Sequence, residues 1–171
     1  MLSEKDFEIV TKQLGRKPIG ALEVTARDAS SEPVVIKVDP LAEGKPFPSM
    51  YWLTGPRVHK AIADVERTAW IKDLEHRIIP ESAEMLARLK NDNERYREMR
   101  WQLFQELHGN ENIQESYLKV IRESGIGGIQ DFSRVRCLHM HYAFHLAHGG
   151  LVGELLDKEF NIKAFMHNEE L

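Results

Sequence analysis

The sequence predicts an α+β fold in which a small antiparallel sheet of about three strands packs against four or five helices, a long helical hairpin among them. Three observations predict it. A partly alternating run and a β-branched run flank a turn near the N-terminus. Apolar residues then recur at helical spacing through most of the remaining chain. Glycine and proline punctuate these runs without isolating a linker. A chain of 171 residues can bury roughly 70% of its unfolded surface. The expectation is therefore one domain over 1–171, with a core at about 4–160 and a polar tail over 161–171.

Residues 3–14 read as a helix, with Ser3 as N-cap, Phe7, Ile9, Val10 and Leu14 as its apolar face, and Gly15 beyond its end. Residues 19–27 and 33–38 read as strands of a hairpin about the turn 28–32. Residues 39–48 carry Pro40, Gly44, Pro46 and Pro48 and read as a loop, and 50–54 as a third strand. Pro56 opens a helix expected to run to about Arg77.

The long helix is expected over 81–108, after Pro80. Leu86, Leu89, Tyr96, Leu103 and Leu107 form its stripe, which Asn93 and Arg100 interrupt, and Gly109 and Asn110 end it. Its middle is expected to be wet. The stripe is read as core, with a coiled-coil or other protein partner as the alternative. A short helix over 112–123, a glycine loop over 124–131, a helix over 133–148 capped by Asp131 or Ser133, and a last helix near 152–160 complete the reading.

Composition excludes several functions. The 23 Lys and Arg against 27 Asp and Glu give a formal charge of −4, so bulk attraction to nucleic acid is not expected. The single cysteine, Cys137, excludes an intrachain disulfide and fits a reducing compartment. The acidic N-terminus is not a signal peptide, and the longest uncharged run, Cys137–Gly153, holds four histidines. The expectation is a cytoplasmic protein that does not cross a membrane.

Residues 134–148 are where chemistry is expected. On a helix at 100° per residue, Cys137, His141, His145 and His148 fall within one stripe of about 80°, while His139 lies on the opposite face. Such a helix is apolar elsewhere, and a buried imidazole requires a hydrogen-bond partner, a metal or a ligand. Three readings follow. Zinc or another divalent transition metal is held by Cys137, His141 and His145, with a further ligand from His76, His108, Asp73 or a glutamate. Alternatively, Cys137 is a nucleophile served by His141. Lastly, the helix is a buried structural element. Gly127 and Gly128, with Arg134 and Arg136, are the candidate anion-binding residues.

Several short motifs add a resemblance. Gln13-Leu14-Gly15-Arg16 with Pro18 and Gly20, Pro46-Phe47-Pro48 leading to Tyr51-Trp52-Leu53-Thr54 and Pro56, and Arg136-Cys137-Leu138-His139 with His141 resemble the bacterial family known as domain of unknown function 501. The resemblance spans roughly 10–155. It implies small cytoplasmic proteins without an established activity, and it favours Cys137, His139 and His141 as catalytic residues. Many members resemble Leu-Thr-Cys-Pro where this chain has Gly55, so a multi-cysteine metal site is excluded here. Two functions are carried forward. One is a metal- or anion-binding domain with hydrolysis as its reaction class. The other is an adaptor that presents helix 81–108 to a partner.

Overall fold

The computed structural model describes residues 2–109 and 111–167. The fold is α+β as expected. Its elements are α1 (Glu4–Leu14), β1 (Ala21–Arg27), β2 (Pro33–Val38), β3 (Leu41–Ala42), β4 (Lys45–Pro46), β5 (Tyr51–Leu53), α2 (Pro56–Glu66), α3 (Trp70–Asp73), α4 (Ala83–His108), α5 (Glu115–Glu123), α6 (Leu138–His148) and α7 (Leu151–Phe160). A π-helical turn, Leu74–Ile78, continues α3, and a 3-10 helix, Ile162–Met166, follows α7.

One antiparallel sheet has the order β1-β2-β5, and β3 pairs with β4 in a separate ribbon within the expected loop. Central β2 is apolar on both faces because both are covered. Ile36 and Val38 pack with Val10 of α1, and Val35 joins Tyr51 and Leu53 against α6 and the main core. The register Val35↔Leu53, Ile36↔Trp52, Lys37↔Tyr51 sends Trp52 to the α1 side and Tyr51 to the α6 side. Ser3 caps α1 by accepting the Asp6 N–H, and Gly15 ends it in the left-handed conformation (φ +67°), as the sequence predicts.

Four expectations about the helices are corrected. The helix from Pro56 ends at Glu66, and Thr68 turns the chain by accepting the Trp70 N–H, so α3 begins anew. The long helix begins at Ala83, capped by Ser82, and packs against α5, which follows it, and α7. Asn110 lies outside the described residues. Ile162 is buried at the start of a 3-10 helix packed against α2, so the polar tail does not begin at 161; residues 168–171 are also outside the description.

The fourth correction concerns the middle of α4. Asn93 and Arg100 fall in the spacing 89, 93, 96, 100, 103, which is the buried seam itself. Both are fully buried rather than wet. Arg100 donates to the carbonyls of Pro48 (2.7 Å), Ile121 (2.8 Å) and Ser124. Burial lowers it to about 10, so it stays charged at neutral pH. Among the described residues no carboxylate pairs with it. The Asn93 side chain accepts the Ile126 N–H (2.8 Å) and donates to Leu89 O (3.0 Å), and the Tyr96 hydroxyl accepts the Met50 N–H. Gly125 is glycine because a Cβ there would collide with Asn93 Oδ1.

Removing the Arg100 guanidinium leaves three carbonyls without a donor, at about 1–3 kcal/mol each. Arg100→Met should therefore destabilise the protein by about 3 kcal/mol or more in urea unfolding. Arg100→Lys should recover less than half, since an ammonium lacks the planar fork that reaches three separate carbonyls.

Candidate metal site at the start of α6

The helix expected over 133–148 begins only at Leu138. Asp131 and Ser133 imitate a cap: Asp131 Oδ1 accepts both the N–H and the hydroxyl of Ser133, which closes a local turn rather than starting a helix. Two glutamates from distant elements then hold the chain. Glu75 accepts the Val135 N–H (2.8 Å), and Glu66, the last residue of α2, accepts the Leu138 N–H (2.7 Å). Cys137 is the N-cap residue of α6 in an extended conformation (φ −125°, ψ 113°), and its side chain makes no cap. Glu66 performs that role from outside the helix.

This shift of the helix start changes the site. Cys137 leaves the expected histidine stripe and joins His139, two residues on. Glu66, Cys137 and His139 each offer one ligand atom, and these atoms lie within 4.8 Å of one another. His139 Nδ1 is 3.1 Å from Glu66 Oε2, and its Nε2 is 3.1 Å from the His59 carbonyl. The His59 ring lies on the His139 ring, centroids 4.2 Å apart. Burial alone would lower His139, but Cys137 and Glu66 beside it raise the imidazole to about 9. Burial works to raise Glu66, yet His139 and the α6 amides outweigh it and hold the carboxyl below its ordinary value. His59 is lowered by burial and by the His139 charge.

The metal set expected from helical spacing, Cys137, His141 and His145, is not assembled. His141 is fully buried, and its Nε2 has no hydrogen-bond partner among the described residues. His145 is structural: its Nδ1 accepts the Gly150 N–H (3.2 Å), so its Nε2–H donates to Asp157 (3.2 Å) and ties α6 to α7. His148 Nε2 pairs with the Tyr51 hydroxyl at 2.6 Å. Of the three residues expected to be catalytic, Cys137 and His139 come together and His141 stands apart.

The expected anion nest has one amide already spent. Gly127 and Gly128 do adopt positive φ, but the Gly128 N–H is committed to Gly125 O (3.1 Å). Arg134 pairs with Glu75 at 3.3 Å, which places a carboxylate among the expected cations; Arg136 is exposed nearby. A cavity of about 500 Å³ lies there, lined by Glu75, Gly128, Arg134 and Arg136 among others, so its charge is mixed. Glu66 and His59 escaped sequence reasoning. No local pattern marks a glutamate as the partner of a cysteine 71 positions later, and the helix read through 66 hid its terminal position.

His141 gives a stability prediction. Burial alone lowers it to about 3. Below about 6.5 the unfolded chain takes up a proton there that the folded chain refuses. Stability therefore falls as pH falls, by about 1.4 kcal/mol per unit, or about 2 kcal/mol at pH 5. His141→Leu removes this term. In urea unfolding, the difference between variant and wild type should shift in favour of the variant by about 2 kcal/mol between pH 7 and pH 5.

No curated protein and no solved structure matches the chain. A family model described as "Protein of unknown function (DUF501)" matches residues 24–158, a span that contains the Phe47–Thr54 strand entry, Glu66 and the Cys137-Leu138-His139 start of α6, while the Gln13–Gly20 segment precedes it. With most of its length inside that match, the chain belongs to the family of proteins of unknown function DUF501.

Proposed function

We propose that this protein binds one divalent transition metal ion, zinc by the preference of its donors, through Glu66, Cys137 and His139. The observation that carries the reading is the convergence of a carboxylate, a thiol and an imidazole within 4.8 Å, from the end of one helix and the start of another. The donor set suits zinc, which takes thiolate, imidazole and carboxylate ligands in tetrahedral geometry. The imidazole is prepared for it: Nε2 faces a main-chain carbonyl, the usual outer partner of a metal-bound histidine, and Nδ1 faces the Glu66 carboxylate. All three side chains are partly accessible, so an ion can reach them.

Three protein ligands leave one tetrahedral position open, and a metal so held lowers the pKa of bound water, which makes hydrolysis the reaction class. The nucleophilic-cysteine reading fits less well. A thiol–imidazole–carboxylate relay divides the two ring nitrogens between thiol and carboxylate. Here Nε2 is committed to His59 O instead. The adaptor reading needs an exposed apolar strip on α4. Among the described residues Leu107 is the single exposed large apolar side chain there, amid polar neighbours.

Metal analysis of untagged protein purified without chelator should find about one zinc per chain. Cys137→Ser and His139→Asn should lose it, whereas His141→Leu should keep it. Cobalt substitution should give a thiolate charge-transfer band that Cys137→Ser abolishes. Absence of metal after zinc loading, or full retention in Cys137→Ser, would overturn the assignment.

A further inference from the structure

His139 also faces a second feature, a cavity of about 240 Å³. Five separate parts of the chain wall it: the end of α1 with Leu14 and Arg16, the Phe47–Ser49 segment, β5, α2 with His59, and α6 with His139 and Met140. Its lining is mainly apolar and aromatic. Phe47 meets Trp52 edge to face at 5.4 Å, and the Arg16 guanidinium lies over the Trp52 ring at 5.0 Å. Among the described residues Arg16 has no carboxylate partner, in contrast to Arg27, Arg88 and Arg134. The walls are fixed from behind. Phe47 N–H donates to Pro40 O (2.8 Å), and Arg100 holds Pro48 O (2.7 Å).

We infer that this cavity binds a small aromatic anion, one ring bearing a carboxylate or phosphate, with the ring against Phe47 and Trp52 and the anionic group on Arg16. Aromatic walls favour a flat apolar body through offset or edge contacts. An unpaired guanidinium recognises carboxylate or phosphate through two parallel hydrogen bonds. The volume falls below the roughly 300–1,000 Å³ of cavities that take drug-sized ligands, which limits the occupant to about a single ring. As the substrate class of the metal site, the inference rests on the reading above; as a binding site, it does not require the metal.

The test titrates the full chain, metal-free and zinc-loaded, with benzoate and with phenyl phosphate by calorimetry, and follows the Trp52 indole N–H by NMR. Benzyl alcohol and acetate serve as the uncharged and ringless comparators. At least one aryl anion should bind saturably, move the Trp52 resonance, and bind at least tenfold tighter than either comparator. The tighter of the two identifies the anionic group. Arg16→Gln, at an exposed position, should weaken it at least tenfold, and Cys137→Ser should retain it in the metal-free state. Binding of neither anion in either state, an unmoved Trp52 resonance, or unchanged affinity in Arg16→Gln would each overturn the inference. Loss of zinc binding with aryl-anion binding intact would overturn only the metal reading. Zinc binding without either anion would overturn only this one.

Discussion

Arg100 brings a full positive charge into the interior, and among the described residues no carboxylate meets it there. A buried guanidinium needs acceptors, and here each of its three nitrogens donates to a main-chain carbonyl, those of Ile121, Pro48 and Ser124. Carbonyls belong to backbone, so satisfying the charge fixes the path of the chain at three places at once. Pro48 leads into β5 and the aromatic cavity wall. Ile121 and Ser124 lie where α5 gives way to the glycine loop. Tyr96 and Asn93, one and two turns earlier on α4, extend the same device by taking the amides of Met50 and Ile126. The long helix thus works as a rack of polar groups that sets both irregular segments feeding the candidate site.

At the other end of the glycine loop the demand is reversed. The first turn of α6 presents unpaired N–H groups, and Cys137 supplies no side-chain cap. Glu66 meets that demand from the end of α2, and the same carboxylate orients His139. Capping and ligand assembly are therefore one interaction seen from two sides. This is why Cys137 and His139 test the metal more cleanly than Glu66 does: removing the carboxylate also removes an acceptor on which the helix start depends.

What the sequence made legible was local. Ser3, Gly15, the β-branched run 33–38 and Gly149-Gly150 act through neighbours within a few residues, and each boundary they set falls where the sequence puts it. The failures share one cause, which is that long-range partners decide them. Asn93 and Arg100 look like breaks in an apolar stripe until the carbonyls and amides that receive them are known. Asp131 and Ser133 have the composition of an N-cap, but Glu66 and Glu75 hold the following residues extended. With the helix start displaced by five residues from 133, the angular argument that united Cys137 with His141 and His145 lost its premise. Cys137 and His139 were both visible as candidates, and Glu66 was not.

The four histidines of α6 show how little residue type alone decides. His145 and His148 are accounted for by Gly150, Asp157 and Tyr51, and each joins α6 to a neighbour. His141 is enclosed without a charged group acting on it, and its neutrality follows from burial. His139 alone combines a carboxylate, a nearby thiol, a carbonyl-anchored ring nitrogen and access to a cavity. These contacts explain His145 and His148 and offer no reason for the surroundings of His139. A core histidine does not need a thiol beside its carboxylate. Arg16, Trp52 and His139 come from segments far apart in the chain and meet at one opening. On the proposed reading, that convergence serves a bound molecule.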